Sequence, residues 1–99
     1  MNIKINSVHF SADKKLEEFI EEKVTKLSQY SDDILGAEVH LTLEKAAGNN
    51  FDSKVTKIKL EIPGYDLFAE KKASTFESST DLVVSALKSQ LIKRKEKIK

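Results

Sequence analysis

Cysteine and tryptophan are both absent from this 99-residue chain. Without cysteine there is no disulfide framework, no thiol nucleophile and no thiolate metal ligand. There is a single proline, and the glycines (Gly36, Gly48, Gly64) do not form a phosphate-binding loop. No apolar run approaches the length of a transmembrane helix, and residues 1–5 alternate instead of opening an apolar signal segment. We therefore expect a cytoplasmic protein with no membrane partner.

Residues for catalysis or metal binding are also scarce. The two histidines, His9 and His40, have no partner at ligand spacing. The serines are not set in a nucleophile motif, and Asp32-Asp33 is typical of a solvated acid pair. A domain of this size has little room for an enclosed pocket. We expect one non-enzymatic domain over residues 1–99, with no cofactor, no metal and no small-molecule substrate.

Positive charge is concentrated at the end of the chain. Residues 88–99 hold six basic residues and one acid, a balance of +5, whereas the whole chain carries +1 and residues 1–87 therefore carry −4. Apolar residues continue through this segment at helical spacing, which predicts one helix from about Thr75 to about Lys97. Ser74 is the predicted cap, with Glu77 completing a capping box.

The charge on this helix has two interpretations. Basic residues near a helix C-terminus suit the helix dipole, but a balance of +5 exceeds that need and favours an anionic partner. Lys88 and Lys95 share one flank of the helix, whereas Lys93 and Lys97 lie on the opposite flank. Arg94 has the azimuth of the core-facing residues, so we expect the helix to have left the core at that point.

The remaining elements follow from alternation and helical periodicity. A helix is predicted over Lys14–Tyr30, capped by Ser11, and a loop at Ala47–Asn50. Pro63-Gly64 predicts a tight turn. The face of the last strand is ambiguous because Leu67 and Phe68 are adjacent apolar residues. The predicted strands are Asn2–Val8, Ala37–Leu43, Val55–Ile62 and Tyr65–Lys72.

These elements give an α+β fold with the order β-α-β-β-β-α. The first two strands should be parallel and the second to fourth an antiparallel meander, which makes a four-stranded mixed sheet. Both helices must then cover one apolar face, as in a double-stranded-RNA-binding domain. Lys23 and Lys26, on one flank of the first helix, can therefore share a positive surface with Lys88 and Lys95.

The other face of the sheet should be polar and mixed in sign. We expect no Phe or Tyr at its outward positions, and so no stacking platform for single-stranded RNA. A nucleic acid would then be bound by the helices, mainly through its phosphates.

The chain also resembles a known family. The second strand ends in Glu44-Lys45, Asp81 lies early in the last helix, and that helix ends in Gln90-Leu91-x-Lys93-x-Lys95-x-Lys97. The first helix carries the spacing Leu16-x-x-Phe19-x-x-x-Lys23-x-x-Lys26-Leu27-x-x-Tyr30. With the element order, these motifs resemble the ribosome hibernation-promoting factor family, also called the ribosome-associated inhibitor or sigma-54 modulation protein family. The resemblance is to its short form.

The resemblance implies a protein that binds the small ribosomal subunit and its rRNA in the decoding channel. Such a protein silences translation, promotes ribosome dimers in resting cells, is not an enzyme and uses no cofactor. We expect the isolated protein to be monomeric. The chain departs from the family pattern at Ser85-Ala86, where an Asp-Lys pair is usual, and at Ser89, where a basic residue is usual. The resemblance and the charge of the last helix together predict these rRNA-binding residues: Lys23, Lys26, Lys88, Lys93, Arg94, Lys95 and Lys97.

The residues alone leave two other interpretations open. One is a generic double-stranded RNA-binding module that recognises the shape of the duplex through phosphates and 2′-hydroxyls. The other is a regulatory protein-interaction module whose basic helix meets an acidic protein.

Overall fold

The computed structural model describes residues 1–8, 11–44 and 54–97, with side chains described as far as Arg94 in the last helix. The loop predicted at Ala47–Asn50 lies outside the described residues. Within the described part, no helix is long and apolar enough to cross a membrane. The elements confirm the α+β class and the predicted order: β1 (Asn2–Val8), α1 (Lys14–Thr25), β2 (Gly36–Leu43), β3 (Lys54–Ile62), β4 (Tyr65–Ala73) and α2 (Phe76–Lys97).

The four strands lie side by side in chain order. β1 is parallel to β2, and β2, β3 and β4 form an antiparallel meander, as predicted. Gly36 lies opposite Asn2, and a Cβ at Gly36 would approach the Asn2 carbonyl oxygen to 2.8 Å. The start of the parallel pair therefore needs a residue without a side chain. Gly64 has a φ of 88°, which suits the tight turn after Pro63.

Both helices pack on one face of this sheet and share one hydrophobic core, which confirms the predicted arrangement. Leu27, just after α1, and Leu87 in α2 are fully buried. The largest buried side chains come from α1, the turn after it, β2, β3 and α2: Ile20, Val24, Leu27, Val39, Leu41, Val55, Ile58, Leu60, Val83, Leu87 and Leu91.

The first helix begins at Lys14, as predicted, but its cap and its end differ from the prediction. Asp13, not Ser11, is the cap, because its carboxylate accepts the backbone N–H of Leu16 at 2.8 Å. The α-helix ends at Thr25, and the chain continues as a 3₁₀ turn over Lys26–Gln29. Periodicity alone does not distinguish these two helix types over so short a segment.

The cap of α2 is shifted by one residue from the prediction. The Thr75 hydroxyl accepts the backbone N–H of Ser78 at 3.0 Å, so Thr75 is the cap instead of Ser74. Glu77 is then one place too early to complete a capping box. The helix itself runs to Lys97, close to the predicted end.

The last strand resolves the ambiguity at Leu67 and Phe68. Leu67 lies opposite Leu60 and packs against the core, whereas Phe68 lies opposite Lys59 on the outward face and is 54% exposed. The expectation that the outward positions lack Phe and Tyr is therefore wrong at Phe68. The residue was misplaced because neighbouring strand residues alternate between faces, and two adjacent apolar residues leave the phase undetermined.

Candidate nucleic-acid interface

An open groove of about 250 Å³ runs between the first helical segment and α2. It brings together the lysines that the sequence placed on the flanks of two separate helices. Lys15, on the same flank of α1, is not among its lining residues. The groove is lined by Lys23, Lys26, Leu27, Tyr30, Asp81, Val84, Ser85 and Lys88.

Lys23 crosses the groove towards α2. Its Nζ lies 3.3 Å from the Asp81 carboxylate and 5.4 Å from the centre of the Phe19 ring. The Asp81 side chain is about half exposed, so this ion pair contributes little to stability. Its main effect is to orient the Lys23 ammonium over the groove and to offset part of its charge.

Lys26 and Lys88 also lie in the groove, and the described structure offsets their charge less than that of Lys23. Lys26 is exposed and has no ion pair within the described residues. The Lys88 ammonium lies 5.2 Å from the centre of the Tyr30 ring, an arrangement that orients the cation without neutralising it. Sequence analysis placed Tyr30 in the apolar stripe of the helix and missed this contact. Its position at the end of that stripe, beside the lysine flank, was the available signal.

The basic end of α2 continues beyond the groove. Lys93 is exposed. Lys95 and Lys97 lie in the helix, but their side chains are outside the described part of the structure. The described portion of this end therefore places one lysine, Lys93, in solvent.

Arg94 behaves differently from its lysine neighbours. Its guanidinium lies 3.5 Å from the Asp33 carboxylate and stacks over Tyr65, 4.3 Å from the ring centre. Arg94 thus lies beyond Leu91, the last residue of α2 in the hydrophobic core, but its side chain still contacts the body of the protein. The start of β4 and the turn before β2 extend the surface against which the helix packs.

Asp33 was interpreted as half of a solvated acid pair, but it is engaged within the chain. The Ser31 hydroxyl donates a hydrogen bond to the Asp33 carboxylate, and this bond is the largest cause that lowers the pKa of Asp33 below its usual range. The nearby Arg94 guanidinium lowers the pKa further. The carboxylate is therefore ionised throughout the neutral range.

The outward face of the sheet has a different charge arrangement. Lys57 lies 3.9 Å from Glu70, and Lys59 lies 3.8 Å from Glu38. The His40 ring also lies near Glu38, at 3.7 Å. The lysines in the middle of this face are thus matched with carboxylates. The polar, mixed character predicted for this face is present in the structure.

Comparison with known proteins places the chain in a family. The model of the sigma 54 modulation protein / S30EA ribosomal protein family matches residues 3–99. The chain belongs to this family. The resemblance derived from the motifs is thereby confirmed.

Two relatives of this family carry related names. The ribosome hibernation promoting factor of Azotobacter vinelandii is 27% identical over 97 residues, which cover 98% of this chain and 85% of the relative. The ribosome hibernation promotion factor of Deinococcus radiodurans is 31% identical over 80 residues, which cover 81% of this chain and 41% of the relative. The chain thus spans most of the first protein and less than half of the second.

Solved structures share the fold. A ribosomal subunit interface protein from Coxiella burnetii superposes with a TM-score of 0.83 at 21% identity, covering 97% of this chain and 99% of that one. The N-terminal domain of Protein Y from Thermus thermophilus gives a TM-score of 0.78 at 24% identity, covering 92% and 96%. At these identities the two structures support the four-stranded sheet with two helices.

Proposed function

We propose that residues 1–99 form a ribosome-binding domain that silences translation and promotes ribosome hibernation. In this proposal the domain binds rRNA of the small subunit in the decoding channel, favours ribosome dimers in resting cells, and acts in the cytoplasm. It works by binding and not by catalysis. Family membership and the names of the two relatives support a ribosome-associated role.

One observation about this chain carries the proposal: the groove gathers Lys23, Lys26 and Lys88 from two helices onto one surface. RNA phosphates are the partner that such a surface suits, because the contact is electrostatic and does not require a deep pocket. We propose that the groove lysines form the rRNA-binding surface together with the basic end of α2: Lys93, Lys95 and Lys97.

A pair of double variants tests this surface. Lys23→Glu with Lys26→Glu reverses two charges in the groove, and Lys57→Glu with Lys59→Glu reverses two charges on the sheet. The net charge changes equally in both. Each variant also replaces ion pairing by repulsion: one pair, with Asp81, in the groove, and two pairs, with Glu38 and Glu70, on the sheet.

The measurement is cosedimentation with isolated small subunits, together with a cell-free translation assay. The groove variant should lose binding and relieve inhibition, whereas the sheet variant should retain most of both. Equal loss in the two variants would mean that only total charge matters. Greater loss in the sheet variant would place the interface on the opposite face.

Duplex RNA separates this proposal from the generic RNA-binding module. An excess of plain duplex RNA, added to the cosedimentation, should leave the protein on the small subunit. Release at stoichiometric duplex would favour general duplex recognition. Retention on an acidic protein, with no response to either RNA, would favour the protein-interaction module.

A further inference from the structure

The last described turns of α2 are held by a residue that the sequence predicts to contact RNA. Leu91 is the last fully packed apolar residue of the helix, and Ile92 and Lys93 are exposed. Arg94 then turns back to the body of the protein, with its side chain 30% exposed. Among the described side chains beyond Leu91, Arg94 is the one that is packed.

The contacts of Arg94 join three segments of the chain. The guanidinium pairs with Asp33, in the turn before β2, at 3.5 Å, and it stacks on Tyr65, at the start of β4, at 4.3 Å. The planar, delocalised guanidinium can pair with a carboxylate through its edge while its face stacks on an aromatic ring, a geometry that a lysine ammonium does not reproduce. The Tyr65 hydroxyl is buried with no hydrogen-bond partner within the described residues, so the described polar contact of this side chain is the one on its ring face.

These contacts compete with a role in RNA binding. A phosphate reaching Arg94 would meet the Asp33 carboxylate, which already offsets part of the guanidinium charge, on a side chain whose face is covered by Tyr65. The same contacts hold this turn of the helix against the body of the protein, next to the exposed Lys93.

We propose that Arg94 is a positioning residue: with Asp33 and Tyr65 it sets the direction of the basic end of α2, so that Lys93, Lys95 and Lys97 meet rRNA together with the groove lysines. This inference rests on the proposed function. In this inference Arg94 promotes RNA binding by positioning the neighbouring lysines, and it does not contact RNA itself.

Replacing Asp33 distinguishes the two explanations, because they predict opposite changes in rRNA binding. If only charge matters, Asp33→Asn removes a negative charge near the basic helix end and should strengthen binding to rRNA. If Arg94 positions the helix end, the same change weakens binding. Asp32→Asn is the matched control, because Asp32 is the exposed neighbour, makes no side-chain ion pair or hydrogen bond within the described residues, and changes the net charge equally.

The binding arm uses cosedimentation of the full chain with small subunits at fixed salt. Asp33→Asn should bind about two- to fivefold more weakly than Asp32→Asn, as expected for loss of one exposed ion pair. Arg94→Lys should also weaken binding although it keeps the charge, and Asp33→Glu should restore it. Binding of Asp33→Asn as tight as, or tighter than, that of Asp32→Asn would overturn the proposal, as would wild-type binding by Arg94→Lys.

A second experiment measures the mobility of the end of α2 in the absence of ribosomes. The chain has no cysteine, so Ile92→Cys offers a unique site for a nitroxide spin label on an exposed position. The label should be more mobile in the Asp33→Asn and Arg94→Lys backgrounds than in the Asp32→Asn background. Unchanged mobility would refute the positioning role. Failure of the unaltered protein to bind small subunits would instead refute the proposed function, while the mobility still decides the role of Arg94.

Discussion

Three buried hydroxyl side chains lie between α2 and the sheet, and their hydrogen bonds can be tested by mutation. Thr56 of β3 and Ser79 and Thr80 of α2 are completely buried. The Thr56 and Ser79 hydroxyl oxygens lie 2.6 Å apart, and the Ser79 hydroxyl donates to the Phe76 carbonyl at 3.2 Å. Ser79 has one proton, and its donation to Phe76 assigns the donor role in the Thr56–Ser79 contact to Thr56, an assignment that variants at the two positions test.

This direction predicts unequal effects of removing the two hydroxyls. Ser79→Ala leaves the buried Thr56 donor with only the Thr80 oxygen, at 3.5 Å, as an alternative acceptor. An unsatisfied buried donor costs about 1–3 kcal/mol. Thr56→Val leaves the bond from Ser79 to Phe76 in place, so we expect it to cost less than about 1 kcal/mol. The double variant contains no orphaned Thr56 donor and should be little worse than Thr56→Val.

Thermal unfolding measures these differences. For a domain of this length about 1 kcal/mol corresponds to roughly 4–8 °C in Tm, so Ser79→Ala should lower Tm by about 4–24 °C. Ser89→Ala, at an exposed position of the same helix, controls for the higher helix propensity of alanine. If the two single changes add to within about 0.5 kcal/mol in the double variant, the hydroxyls are not coupled and the assigned donor direction is wrong.

The other predictions concern the core, pH and salt. Leu87→Ala, at a fully buried site, should cost about 2–5 kcal/mol and lower Tm by at least ~10 °C, and an unchanged Tm would mean that the phase of α2 is wrong. Because the pKa of Asp33 is lowered, its contribution to stability is present above the ordinary value of 3.8 and is lost as pH falls through the lowered pKa. The difference in Tm between the unaltered protein and Asp33→Asn should therefore exist at neutral pH and vanish in strong acid, whereas persistence in acid would rule out the ionised carboxylate as its source. Small-subunit binding should weaken steeply with salt, by analogy with the slope of about −0.7 to −0.9 per neutralised phosphate in simple nucleic acids, and salt-independent affinity would contradict a phosphate contact.

The parts of the fold that depend on periodicity were predictable from the sequence. Alternation along Val39 and Leu41 and helical spacing through Val83, Leu87 and Leu91 identify the buried faces, which the structure confirms. With a parallel pair followed by a meander, these faces leave one arrangement in which both helices share a side. Several apolar residues at regular spacing identify the same buried face of a helix or strand, so one exception does not change the assignment of that face.

Features set by one residue were harder to predict. The observed caps differ from the predicted ones because Asp13 and Thr75 lie close to serines, and all of these side chains can accept a hydrogen bond at a helix start. The contact of Arg94 with Asp33 and Tyr65 joins segments far apart in the chain, and no local pattern specifies such a meeting. Helical azimuth correctly pointed Arg94 towards the body of the protein. It could not show that Asp33 and Tyr65 lie within reach of Arg94.

The total charge of +1 is a poor guide to what this protein binds, because screening at physiological ionic strength limits exposed charges to a range of about 8 Å. At that range a bound partner is affected mainly by the charges on the face that it contacts. The sheet face offsets Lys57 and Lys59 with nearby carboxylates, whereas in the groove Lys26 and Lys88 form no ion pair within the described residues.

The positive charge on the helix side is itself divided between the groove and the end of α2. Ala86 and Ser89 lie on α2 at positions where the resemblance to the family predicts basic residues, so the positive charge is not continuous along the helix. On the proposed function, the two regions must therefore engage one RNA surface together. Two linked contacts reinforce each other only when their geometry allows both to form at once. The direction of the helix end, and with it the contact of Arg94 with Asp33 and Tyr65, thus matters more in this chain than it would on a helix with continuous positive charge.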